Sequence, residues 1–217
     1  MTADRPQDPP ESRWPAVVAV LAVGGLYAAL PSSLVVGPRW LFVVVVGVLL
    51  ATTLTARALG NYVIDNTSGH LLAGALTLFM VWSLVLLVHA LPAHKEAPVT
   101  LLRSATALWA TNILVFALWY WRLDAGGPHQ RDLRAGHPSG SFLFAQMTFR
   151  DDDVPPEWKN WSPNFIDYLF LAFNTSTAFS PTDVPVLSRW AKLLTMAQAS
   201  ISLTVVAILA ARAVNIL

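Results

Sequence analysis

The chain has 217 residues, 55% hydrophobic and only 12% charged, with a formal net charge of +1 and no cysteine. Soluble domains carry about 25% charged residues and nucleic-acid binders a marked basic excess, so composition points away from both. The missing cysteine removes disulfides, thiolate metal ligation and cysteine catalysis.

Residues 1–13, MTADRPQDPPESR, are polar and proline-rich and lack the layout of a cleavable signal peptide; they read as a disordered tail. The next part, 14–122, reads as a four-helix transmembrane region. About 20 apolar residues cross a bilayer core of about 30 Å. Four segments are read as spans: Trp14 to about Leu30, Trp40 to about Ala58, Gly69 to Leu91, and Ser104 to Trp121. Asp65, Asn66, Thr67 and Ser68 are candidate caps for the third. Trp119, Tyr120, Trp121 and Arg122 close the fourth as an interfacial belt with a cation beside it.

Residues 123–163 are rich in Gly, Pro and charge and cannot face lipid. Phe142, Leu143, Phe144, Met147, Trp158 and Trp161 make them too apolar for a bare linker, so a cap lying against the membrane surface is expected. Asp151, Asp152 and Asp153 read as a solvated acidic turn.

The last unit, 164–217, carries the functional expectation. A segment from Asn164 to Phe179 is short for a span and hydroxyl-rich in its second half, and Ser188 to Leu217 reads as one long helix. Polar chain at membrane depth must be buried in protein or line water. A short helix followed by an extended hydroxyl-lined turn is how re-entrant pore loops are built; a sixth spanning helix is the other reading. Ionisable or strongly polar groups are rare in the long spans. Asn112 reads as an interhelical hydrogen-bonding residue and His89 as an interfacial one. The five histidines show no i, i+4 metal-pair spacing within one segment and no evident carboxylate partner, His89 and His94 being five apart, so no metal, cofactor or catalytic residue is assigned.

Tyr168-Leu-Phe-Leu-Ala-Phe, then Thr175-Ser-Thr-Ala-Phe-Ser-Pro-Thr-Asp183, then Arg189 opening a long apolar helix, resembles the pore region of two-transmembrane potassium channels. The chain as a whole is similar to a family of bacterial multi-pass membrane proteins that carry FSPTD and end in AARAVNIL. The pore resemblance implies a pore helix, a filter loop and an inner helix, with Thr177, Ala178, Phe179, Ser180, Pro181, Thr182 and Asp183 in the filter positions and Thr175 and Ser176 before them. Both filter glycines are replaced, by Ser180 and Thr182, and Pro181 stands at the aromatic position, which speaks against a potassium-type carbonyl cage. Thr195, Gln198, Ser202 and Thr204 are the polar candidates on the inner helix, and Ala199, Ala207, Ala210 and Ala211 could permit close helix contact.

The expected fold is therefore an all-α membrane protein of five transmembrane helices plus a re-entrant pore-type helix and loop. The expected function is an oligomeric channel passing monovalent cations, a tetramer by the resemblance, in the plasma membrane. A non-conducting scaffold or sensor is the alternative. Five spans put the N-terminal tail and the long loop on one side. A simple count of Lys and Arg would make that side cytoplasmic; the resemblance and its net acidic loop place it outside.

Overall fold

The computed structural model of the protein describes residues 11–93, 97–134, 137, 139–149, 154–155, 158, 161–180 and 183–214. Pro181, Thr182, Asp151 to Asp153 and His94 lie outside these.

Proline and capping residues punctuate the apolar runs. Helix α1 (Trp14–Ala28) has Pro15 in its first turn, where the missing N–H costs nothing; it stops before Leu30, whose helical conformation Pro31 disfavours. Helix α2 (Arg39–Ala58) follows Pro38, and Gly60 takes a left-handed φ of 70° to end it. Asn61 Oδ1 then accepts from the Ile64 N–H at 3.2 Å, so α3 (Tyr62–Ala93) starts at Tyr62. Asp65, Asn66, Thr67 and Ser68 thus lie inside the helix and do not cap it. The polar residues that look like a boundary are the part of α3 that extends past the apolar stretch. Helix α4 (Pro98–Leu123) begins earlier than Ser104 because Pro98 starts its first turn. The short α5 (Pro128–Asp132), α6 (Phe165–Thr177) and α7 (Arg189–Val214) complete the fold. Asn164 and Asp167 form a reciprocal capping box on α6.

Among the described residues the chain is all-helical without strands, apart from an isolated antiparallel bridge between Phe142 and Val186. Four helices are long and apolar enough to cross a bilayer: 39–58, 62–90, 98–126 and 189–211. Against the five spans expected, α1 has 15 residues, a rise of about 22 Å, and falls short. The outward faces carry Trp40, Val43, Val48, Leu78 and Trp82 exposed, which is compatible with a multi-pass membrane protein.

Helix α4 is the axis of the fold, packed by α1, α3, α6 and α7. The register of α6 and α7 follows from two bonds. Gln198 Nε2 donates to the Ala172 carbonyl at 2.7 Å, and Ser202 Oγ donates to the Ser176 carbonyl at 2.8 Å. A step of four along α6 matches a step of four along α7, so the two helices run the same way. Tyr168 bonds Asp124 at the end of α4, while Ser176 bonds Asn112 near its middle, so both run antiparallel to α4. The connector 178–188 must therefore climb back to the level at which α6 began. Leu187 N–H donates to the Ser141 carbonyl and Leu143 N–H to the Pro185 carbonyl, both beside Asp124.

The expected tail and cap are more integrated than their composition suggests. Glu11 and Arg13, expected in a disordered tail, are held by Asp132, Arg131 and Trp121. Burial pulls the Arg13 guanidinium below its ordinary value, against the pull of Glu11 and Asp132. Phe142 and Phe144 are buried on the rings of Tyr120, Tyr168, Trp161 and Trp190. The cap segment is thus seated on the ends of α4, α6 and α7.

Candidate functional site

Where α6 ends beside the middle of α4, six polar side chains meet in an otherwise apolar core. Asn112 and Tyr120 come from α4, Thr175 and Ser176 from α6, and Gln198 and Ser202 from α7, all buried. Gln198 is the hub. It receives the Tyr120 hydroxyl on Oε1 at 2.5 Å, and its Nε2 donates to Ser176 Oγ at 2.8 Å as well as to Ala172. Asn112 Nδ2 donates to the Gln198 carbonyl at 3.3 Å and to Ser176 Oγ at 3.4 Å. The expected interhelical role of Asn112 is what the geometry shows. Its Oδ1 has no partner among the described residues.

The cluster has a physical reason. A helix leaves its last carbonyls without intrahelical partners, and inside an apolar layer these must be satisfied by protein. Ser202 supplies that partner to Ser176, while Thr175 and Thr177 bond back to Leu171 and Phe173.

The residues singled out in the sequence fall into two sets. Thr175, Ser176, Thr195, Gln198 and Ser202 face into the bundle, so within one chain Gln198 and Ser202 bind α4 and α6 and do not border open space. Thr177 is exposed at the last position of α6, Ala178, Phe179, Ser180 and Asp183 are exposed on the turn, and Thr204 is exposed on α7. Phe179 holds a left-handed φ of 57°, uncommon for a bulky residue. Asp183 Oδ2 accepts from Asn174 Nδ2 at 3.4 Å, tying the climbing connector to the last turn of α6. Ala207, Ala210 and Ala211 lie on the outer side of α7.

A second buried cluster, at the cap end, escaped the sequence reading. Asp124 accepts from the Ser141 N–H at 2.5 Å and the Tyr168 hydroxyl at 2.7 Å, and His137 Nε2 faces it at 3.4 Å without hydrogen-bond direction. Arg131 Nη1 donates to the Trp121 and Asp124 carbonyls at 2.8 and 3.0 Å, closing the C-terminus of α4 with a cation where the helix dipole favours one. Tyr120, Trp121 and Arg122, expected in an interfacial belt, are buried. The cap and α7 cover Tyr120, α6 and the residue before α1 cover Trp121, and α3 lies against Arg122. The only signal in the sequence was the aromatic content of 142–161, which needs an aromatic surface to pack on. Among the described residues no three His, Asp or Glu side chains converge as a metal site would require.

Comparison of the chain with protein-family models, with curated proteins and with solved structures finds no match.

Proposed function

We propose that this chain is the subunit of an oligomeric membrane channel in which α6 and the turn after it form a re-entrant element. One observation carries the reading. Residues 178–180 are non-helical and exposed beside Ser176, which bonds Asn112, eleven residues inside the end of α4 at Leu123, roughly 16 Å along the helix. Backbone in that state cannot face lipid, so in a bilayer it must meet another subunit or water. Ile166, Phe170 and Phe173 make an exposed apolar stripe on α6 that runs into the turn, a surface suited to a second copy. In such an assembly Thr177 to Ser180 and Asp183 border the passage, and the Gln198 cluster fixes the position of α6 behind them. Hydroxyl and carbonyl oxygens with one carboxylate favour cations, monovalent ones by the resemblance in the pore segment.

The test is cation flux through purified protein in liposomes under a potassium or sodium gradient. Thr177→Ala and Asp183→Asn are expected to change the rate by several-fold or more. No flux under any gradient would leave the second reading, a non-conducting scaffold, which the dense packing behind the turn favours.

A further inference from the structure

Arg122 is only 8% exposed, and its guanidinium lies 5.3 Å over the Trp121 ring within the field of Asp65, yet among the described residues it makes no hydrogen bond and no ion pair. It cannot shed its charge, because arginine stays protonated in proteins, and buried charges elsewhere are paired. It lines a narrow cleft of about 40 Å³, open to the outside, between α1, α2, α3 and α4 at the cap end of the bundle. Gly69 makes room for it: a Cβ there would fall 1.8 Å from Arg122 Cζ, so only a glycine lets the guanidinium lie on the backbone of α3.

Most other polar groups in the cleft wall are already committed. Thr53 and Ser68 bond each other at 2.9 Å, Arg13 is paired with Glu11 and Asp132, and Trp121 Nε1 donates to Glu11. Arg57 and Asp65 remain, neither in an ion pair among the described residues. Two guanidinium groups against one carboxylate leave a net positive pocket. Away from them the wall is apolar, with Val17, Val20, Leu50 and Leu54, and Leu54 is exposed on the outer face of α2.

We infer that this cleft binds the phosphate or carboxylate headgroup of an anionic amphiphile. Arg122 and Arg57 donate to its oxygens, and its hydrocarbon chain lies along α1 and α2. The guanidinium fork matches such oxyanions in a bidentate manner. The apolar wall selects a lipid over a free anion. The reading does not depend on conduction.

The test is native mass spectrometry of the purified full chain in nonionic detergent, titrated with phosphatidylglycerol, with phosphatidylcholine of the same chains, and with inorganic phosphate as competitor. Phosphatidylglycerol is expected to bind in preference to phosphatidylcholine. Arg122→Gln should weaken it roughly 10- to 100-fold, the worth of a lost charge-assisted pair. Gly69→Ala should weaken it as well, by displacing the guanidinium. Asp65→Asn, at a partly exposed position, should tighten it severalfold, which a merely structural role for Arg122 would not produce. Equal binding of the two lipids, or unchanged binding in both Arg122→Gln and Asp65→Asn, would overturn the inference. Displacement of the lipid by low millimolar phosphate would overturn the amphiphile assignment in favour of a free anion.

Discussion

The Tyr120 hydroxyl donates to Oε1 of Gln198 at 2.5 Å, joining α4 to α7 through a residue that is fully buried. Gln198 has its amide nitrogen on α6 at the same time, so one side chain locks three helices in register. Removing the hydroxyl leaves a buried acceptor without its donor, and Tyr120→Phe is expected to cost about 1–2 kcal/mol. Gln198→Leu loses all three bonds and should cost more, about 2–4 kcal/mol. The coupling between the two in a double-mutant cycle should be close to about 0.6 kcal/mol and no more than about 1.7. Thermal unfolding in detergent measures it; additive effects would show that the pair is not a unit.

Asp124 holds the cap down. It accepts from Ser141 and Tyr168 and faces His137, and Gly140 packs so closely that a Cβ there would lie 2.5 Å from His137 Nε2 and 2.9 Å from the Asp124 oxygens. Asp124→Ala would strand these buried donors, at about 3 kcal/mol. Gly140→Ala would push the same groups apart. Both are expected to open the segment between α4 and α6 to limited proteolysis while the helix content by circular dichroism stays near native. Unchanged protection would show that the aromatic contacts of Phe142 and Phe144 suffice on their own.

The spans α2, α4 and α7 were legible because length and hydropathy are one-dimensional properties, and so was the interhelical role of Asn112, a lone amide in an apolar run. The start of α3 was not. Asp65 to Ser68 look like a cap until Asn61 is seen to take that place. Trp119 to Arg122 have the composition of a membrane interface. Phe142 covers Tyr120, Phe165 and Arg13 cover Trp121, and Gly69 of α3 lies against Arg122, so three of the four are buried by distant segments, and nothing local encodes those contacts. The pairing of His137 with Asp124 has the same cause. The site was half legible: the hydroxyl run was visible, but which hydroxyls point inward depends on where Gln198 and Ser202 arrive.

Phe179 sits in the left-handed region at φ 57° with its ring partly exposed. That conformation costs about 1–2 kcal/mol for a residue with a side chain, and such strain persists where the surroundings over-determine it. Phe179→Gly is expected to raise stability by about 1 kcal/mol, because glycine adopts that φ freely. Phe179→Leu keeps the strain and should not. If the ring borders the passage or a second subunit, the glycine variant gains stability and loses flux or self-association. A destabilised Phe179→Gly would mean that the ring's packing outweighs the strain.

The absence of cysteine makes the subunit arrangement directly testable. Thr177→Cys and Phe179→Cys each introduce the only thiol of the chain, at the end of α6 and on the turn after it, both of which a single copy leaves exposed. A disulfide requires Cα atoms within about 7 Å, so these thiols cross-link only if two turns face each other across a narrow axis. Leu78→Cys, on the exposed outer face of α3, provides the control. Mild oxidation in membranes is expected to give a dimer band with the turn variants at yields well above that of Leu78→Cys, and chemical cross-linking of lysines should show the larger assembly. Equal yields would place the turn away from any symmetry axis. Residues 178–180 would then need another protein to cover their backbone, and the scaffold reading would stand in place of the channel.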